Sequence, residues 1–268
     1  MNLSCRQGLH FLSYKQLCQL VIFLFEQKEL LMLKLRKSED RGTTEFFWLE
    51  SKHSFSFGDY YDPAHMGFGA LRVINEDKVK PDAGFDLHPH RNMEILTYVL
   101  SGALTHKDTL GTGSRILAGD VQRMSAGTGI SHSEHNSQKD DTLHLLQIWI
   151  LPEKEGMSPS YEQKNFTKER GMGKLTLLAS REGHKGSLTL HQDVSLFVLD
   201  LNKGQSFAYA LEEKRMAWVQ VASGSVDLNG QSLMQGDGAA LTHEKALTFQ
   251  AGEEGAEILI FDLSSSDF

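Results

Sequence analysis

Two stretches of this chain share one grammar, and that repetition limits the fold more than any single motif does. "YVLSGALTHKD" (Tyr98 to Asp108) resembles "VQVASGSVDLNG" (Val219 to Gly230), with Ser101-Gly102 matched to Ser223-Gly224. "LAGDV" (Leu117 to Val121) resembles "MQGDGAAL" (Met234 to Leu241), and "LLQIWI" resembles "ILIFDL". Each copy reads strand, Ser-Gly, strand, turn, strand, Gly-Asp, strand, which predicts two copies of one β-sandwich. Runs such as "GALRVI" and "SLTLHQDVSLFVLDL" are rich in β-branched and aromatic residues and are punctuated by Gly, Asn and Asp, so the fold class is all-β. Asn229-Gly230 predicts a tight hairpin turn, and "LGTGSR" (Leu110 to Arg115) another. An amphipathic helix is expected over "EQKELLMLKLRK" (Glu26 to Lys37), and one more beyond the extension, over "EKEGMSPSYEQKNF", although Pro159 weakens it. A domain boundary is placed near residues 160–175, where polar residues and "ERGMGK" interrupt the strands.

The 268 residues suffice for one large or two ordinary domains. A net charge of -8 with no Lys/Arg-rich block argues against nucleic acid or an anionic membrane as partner and favours small molecules. Cys5 and Cys18 both lie near the N-terminus, leaving the rest without a disulfide framework or thiolate site, as in a reducing cytoplasm. "LCQLVIFLF" (Leu17 to Phe25) mimics a signal-peptide core, but no small-residue cleavage site follows and the run is too short to span a bilayer. Residues 1–31 are read as a weakly attached extension, a start-site artefact with Met32 as the working start; the alternative is a real anchor or partner helix.

The candidate chemistry sits in "GFDLHPHRNMEIL" and "SAGTGISHSEHNS". Residues two apart on a strand project from one face, so His88 and His90 can present both rings to one point, and His132 and Glu134 can do the same from a second strand. Three imidazoles and a carboxylate make an N/O site for a first-row divalent ion, with no thiolate. Four protein ligands leave one or two positions open on an ion that prefers five or six, which suits substrate or dioxygen. Glu94, in "HRNMEILTY", lies four residues past His90 and is expected on the same strand face, where it competes for the carboxylate position or for a supporting hydrogen bond. His135 points away from Glu134, and His53, His65, His106, His144, His184, His191 and His243 read as surface or structural. "SAGTGIS" lacks the Lys-Ser/Thr of a phosphate loop and reads as a turn that delivers His132. No Gly-x-Ser-x-Gly elbow or cysteine nucleophile supports covalent hydrolysis. Phe57, Met124 and Trp149 are candidates to line a flat pocket, with ordinary core packing their commoner role.

"GFDLHPHRNMEILTYVLSG" resembles the first cupin motif and "AGDVQRMSAGTGISHSEHN" its partner. With "HSFSFGDYYDP", "MGFGALRVIN", "LHLLQIWILP" and "PSYEQKNF", the chain from Met32 to Leu263 resembles the pirin family, nearest its bacterial quercetinase branch. The resemblance implies a bicupin of two jelly-roll domains, with a metal-binding domain over 32–165 and a second, without metal ligands, over 166–268. It implies His88, His90, His132 and Glu134 as ligands, favouring Glu134 over Glu94. Counting from the matched glycines puts Ala210, Glu212 and Phe249 where the three histidines stand in the first copy. The implied activity is quercetin 2,3-dioxygenase, with a flavonol and O2 as substrates and CO released; Glu134 is the candidate catalytic base, with Glu94 the second candidate. The implied cofactor is one divalent ion, Fe2+ ahead of Ni, Co, Mn, Cu or Zn. A cupin pair can serve as its own dimer, so a monomer is expected. The alternative is a pirin-type regulatory protein whose metal state alters a binding surface.

Overall fold

In the computed structural model, residues 32–265 are described, so the expected extension over 1–31 lies outside the described residues. Among them, strands form three sheets. In the first half, β2 (Gly42–Glu45), β3 (Leu49–His53), β4 (Leu71–Val79), β6 (Glu94–Ser101), β9 (Asp120–Ser125), β11 (Leu143–Ile150) and β12 (Ser160–Asn165) make a seven-stranded sheet in the order β12-β9-β6-β11-β4-β3-β2. A four-stranded sheet of β5 (Gly84–His90), β10 (Ile130–Asn136), β7 (Ala103–Asp108) and β8 (Gly113–Leu117) covers one face of it. Leu49, Val79, Val99 and Leu145 from the larger sheet close one end of this sandwich against Leu104 and Ile116 from the smaller.

The second half is a nine-stranded sheet, which includes β1 (Met32–Arg36), β13 (Leu175–Ser180), β14 (Leu188–Thr189), β15 (Val194–Leu201) and β16 (Ser206–Ala210). It is completed by β17 (Arg215–Leu228), β18 (Gln231–Met234), β19 (Gly238–Thr242) and β20 (Ala246–Ser264). The strand β1, which the sequence reading counts with the first half, pairs antiparallel with β19. Arg36 at its end reaches back to donate from Nε to the Ser54 carbonyl at 3.1 Å.

The two halves share one core. Leu96, Tyr98, Leu146 and Ile148 on the outer face of the seven-stranded sheet pack with Leu196, Val198, Trp218 and Phe261 of the second half. Burial of each such side chain contributes about 1.5–3 kcal/mol relative to exposure. With both faces covered, β6 reads as an almost continuous apolar run rather than an alternating one. Arg170 binds across the junction, donating to Asp200 Oδ2 at 2.9 Å and to the Tyr98 hydroxyl at 2.8 Å.

The repeat seen in sequence corresponds to one turn built twice. Asp120 Oδ2 accepts the Leu117 amide at 2.9 Å, and Asp237 Oδ2 accepts the Met234 amide at 3.0 Å. The glycines before them, Gly119 and Gly236, hold φ of 90° and 84°, a region open to glycine at little cost. The Asn229-Gly230 hairpin forms as expected, with Leu228 opposite Gln231. Neither expected helix stands in the described residues: Met32–Arg36, where the first was to run on toward Lys37, is the strand β1 held by β19, and the second does not form. Residues Ser160–Asn165 pair instead with β9, and Met157 gives its carbonyl to the Thr128 amide at 2.8 Å, so pairing across the sheet overrides local helix preference.

Candidate metal centre

The histidine pair stands on β5 at the edge of the four-stranded sheet, which is why Pro89 between the rings costs no ladder hydrogen bond. His88 lies opposite His132 of β10, and His90 opposite Ile130. A bulge follows: Glu134 pairs with Phe85, so β5 uses one residue more than β10 over this interval. The extra residue reverses the parity of β5 and turns Phe85 to the same cavity as His88 and His90. Along β10, burial alternates strictly, and Ile130, His132, Glu134 and Asn136 are the inward residues. Gly84 permits the close approach of these strands, because a Cβ there would overlap the Glu134 carbonyl oxygen.

The three rings converge. Centroids are 4.8 Å apart for His88 and His90, 4.5 Å for His88 and His132, and 4.9 Å for His90 and His132, and one ligand atom from each lies within 4.8 Å of the others. His88 donates from Nδ1 to the Asp86 carbonyl at 2.7 Å, which leaves its Nε2 bearing the lone pair. His132 is 1% exposed, and its Nε2 has no hydrogen-bond partner. Burial, aided by the neighbouring His88, pushes His90 down to about 4. Burial and the surrounding histidines push His132 down to about 2. Rings kept neutral by burial, with an orphaned buried nitrogen among them, fit a divalent cation, since imidazole ligates in its neutral form.

Glu134 lies beside His132 but on the other side from the pair. Its carboxylate groups with His106 and His132 within 4.8 Å. Gln147 Nε2 donates to Oε2 at 2.7 Å, and the Thr97 hydroxyl lies 3.3 Å from Oε1. Burial raises the Glu134 carboxyl to about 7, against the pull of the Thr97 hydrogen bond. Asp77, also buried and bonded to Ser51, is raised to about 6, chiefly by burial.

These groups open onto a cavity of about 250 Å³ between the two sheets of the first half. Its walls include Phe46, Phe57, Phe85 and Trp149. Trp149 stands edge-on to His90 at 5.0 Å and to Phe57 at 5.3 Å, and its buried Nε1 has no acceptor. Met124 instead packs with Ile95, Ala126 and Ile130.

Two histidines read as surface or structural are buried beside this cavity. His53 is 2% exposed and lines it, held by Asn75 Oδ1 and the Thr44 hydroxyl, each at 2.8 Å. His106 is fully buried behind His132, with Asp108 Oδ2 at 3.0 Å from its Nε2. The signal for the latter was present: His106 and Asp108 are two apart on a strand, the same spacing as His88 and His90. Gln147 and Thr97 carried no such signal. Glu94 does not share a strand face with His90. Asn92, at φ 48°, turns the chain into the seven-stranded sheet, and Glu94 Oε2 accepts from Ser125 at 2.9 Å with His191 Nδ1 at 3.2 Å. Glu94 thus sits at the junction of the halves.

Comparison with known proteins fits this architecture. Residues 34–150 match the family model Pirin, and residues 177–263 match that of the quercetinase C-terminal cupin domain. Over 232 residues the chain is 45% identical to "Quercetin 2,3-dioxygenase" of Escherichia coli K12, covering 87% of this chain and 99% of that one. The chain belongs to the pirin family. Another relative, "Pirin-like protein" of Caulobacter vibrioides, is 43% identical, with 85% and 98% covered. This pirin-family chain also superimposes on the crystal structure of YhhW from E. coli with a TM-score of 0.83 at 44% identity, covering 87% of this chain and 97% of that one. A second crystal structure, of bacterial pirin YhhW from E. coli in complex with nickel(II), matches with the same score and identity, covering 87% and 99%. The expected bicupin fold and family therefore hold. Among the described residues, no helix is long and apolar enough to cross a membrane.

Proposed function

We propose that this pirin-family chain is a metal-dependent dioxygenase that opens the ring of a flavonol such as quercetin with O2, releasing CO. The observation that carries the reading is the meeting of three imidazoles, one with an unpartnered buried Nε2, on an aromatic-walled cavity beside a buried carboxyl. His88, His90, His132 and Glu134 would hold one divalent transition metal; the donor set suits iron(II) and equally nickel(II), the ion named for the E. coli YhhW complex. Such an ion supplies Lewis acidity that lowers the pKa of a substrate hydroxyl and favours the electron-rich anion that reacts with dioxygen.

The protein's own groups account for the rest. Glu134 takes the hydroxyl proton on Oε1, because Oε2 is already engaged by Gln147 at 2.7 Å while Thr97 is a longer contact to Oε1. Phe57, Phe85 and Trp149 wall a space fit for a flat guest and exclude water from it, and the unpartnered Trp149 Nε1–H offers a donor to an oxygen on that guest. Dioxygen uptake and CO release with quercetin, measured on iron- or nickel-loaded protein against the same concentration of free metal, test the reading. Turnover above the free ion that disappears in His88→Ala is the expected result. Consumption equal to that of free metal overturns it and favours metal-dependent binding of a partner.

A further inference from the structure

Behind His132, on the side away from the cavity, a second histidine and a carboxylate form a buried chain. Asp108 Oδ2 lies 3.0 Å from His106 Nε2, and His106 Nδ1 lies 3.4 Å from His132 Nδ1. The side chains of His106 and Asp108 are both fully buried. The other oxygen of Asp108 accepts the backbone amides of Leu110 at 2.9 Å and Thr112 at 3.0 Å, which fixes how the carboxylate is turned. The Tyr161 ring lies 5.0 Å from that of His106, and its hydroxyl is hydrogen-bonded with Ser114.

Proton positions along this chain follow from its acceptor end. A carboxylate only accepts, so His106 must carry its proton on Nε2. A neutral ring protonated there has a bare Nδ1, which can only accept, so His132 must carry its proton on Nδ1. His132 is then left with a bare Nε2, the atom that is buried and unpartnered, on the ring that clusters with His88 and His90. Both nitrogens of His106 are engaged, so although it falls within ligand distance of His132 and Glu134 it has no lone pair left for an ion. We propose that Asp108 and His106 are positioning residues that set the tautomer of His132 and aim its lone pair into the cavity. The proposal rests on the reading of His132 as a metal ligand only for its consequence, the affinity for the ion; the tautomer itself is a property of the metal-free protein.

The first test needs no substitution. In ¹⁵N-histidine-labelled, metal-free protein, nitrogen NMR separates protonated from bare ring nitrogens. The expected pattern is Nδ1–H on His132 and Nε2–H on His106. A His132 ring protonated on Nε2 overturns the proposal, whether or not any variant folds.

The second test reverses the chain. In Asp108→Asn the two backbone amides keep the amide oxygen on their side, so the NH2 faces His106 Nε2. That group donates where the carboxylate accepted, moving the proton of His106 to Nδ1 and that of His132 to Nε2. The expected readouts are a switched His132 nitrogen spectrum without metal and a loss of roughly 10–100-fold in nickel(II) affinity by calorimetry. His106→Phe keeps a ring against Tyr161 but removes the acceptor, and should also weaken nickel binding. An unchanged spectrum and dissociation constant in Asp108→Asn overturn the proposal. Wild-type protein that takes up no nickel would instead count against the metal reading, and the metal-free spectrum would still decide the role of the pair.

Discussion

The two halves of the molecule repeat the same Gly-Asp turn and yet fill their interiors differently. In the first half, the space between the sheets holds His53, Asp77, His88, His90, His132 and Glu134 around a cavity. In the second, the interior is packed with Leu228, Leu247, Phe249, Ile258 and Ile260. Phe249, which counting from the repeat matches to His132, is a core residue at 2% exposure. One scaffold therefore serves two ends. Where its inward positions carry apolar side chains it supplies stability, and where they carry imidazoles and carboxyls, which are costly to bury, it forgoes some stability for a site.

The sharpest way to break this comparison is to remove one inward imidazole. His88→Ala should abolish stoichiometric metal uptake, read by elemental analysis of purified protein, and with it any flavonol turnover, while the fold remains. The counterpart in the other half is Phe249→Ala. It should cost about 3–5 kcal/mol of unfolding free energy in urea, because a buried ring leaves a cavity, and should leave metal stoichiometry unchanged. If this variant lost metal while keeping its stability, the division of labour between the halves would be wrong.

A pH experiment sharpens the contrast. Glu134 has a folded-state value near 7 against an ordinary 4.5, so the folded chain binds the proton more tightly than the unfolded chain. Its stabilising effect is fully present below about pH 4.5 and is lost as pH rises toward and through 7. In metal-free protein, Glu134→Gln should remove a decline on the order of 3 kcal/mol over that window, measured as the difference between the two urea-unfolding profiles. Identical profiles would mean that the carboxyl is not buried as described. The smallest expected effect comes from Gly84→Ala, which must push β5 from β10. It should cost about 1–3 kcal/mol and weaken nickel binding, since both strands carry ligands.

Much of this was legible along the chain because it depends on local period. Strand texture, the Asn229-Gly230 turn and the repeated Gly-Asp turns each need only a few adjacent residues. The His88/His90 and His132/Glu134 pairs were visible for the same reason, as period-two spacing on strands. Contacts made across sheets were not visible. Gln147 and Thr97 reach Glu134 only because β11 and β6 lie side by side. Glu94 looked like a neighbour of His90 until the turn at Asn92 sent it into the other sheet. Ser160–Asn165 is held extended by β9, a partner some forty residues away that no local pattern reveals.

The pairing of β1 with β19 sets a timetable for biosynthesis. Met32–Arg36 leaves the ribosome well before Gly238–Thr242, so this strand has no partner until nearly the whole chain has been made. Such a distant closure is slow to reach, and the open edge it leaves on the growing chain is one a chaperone would have reason to cover.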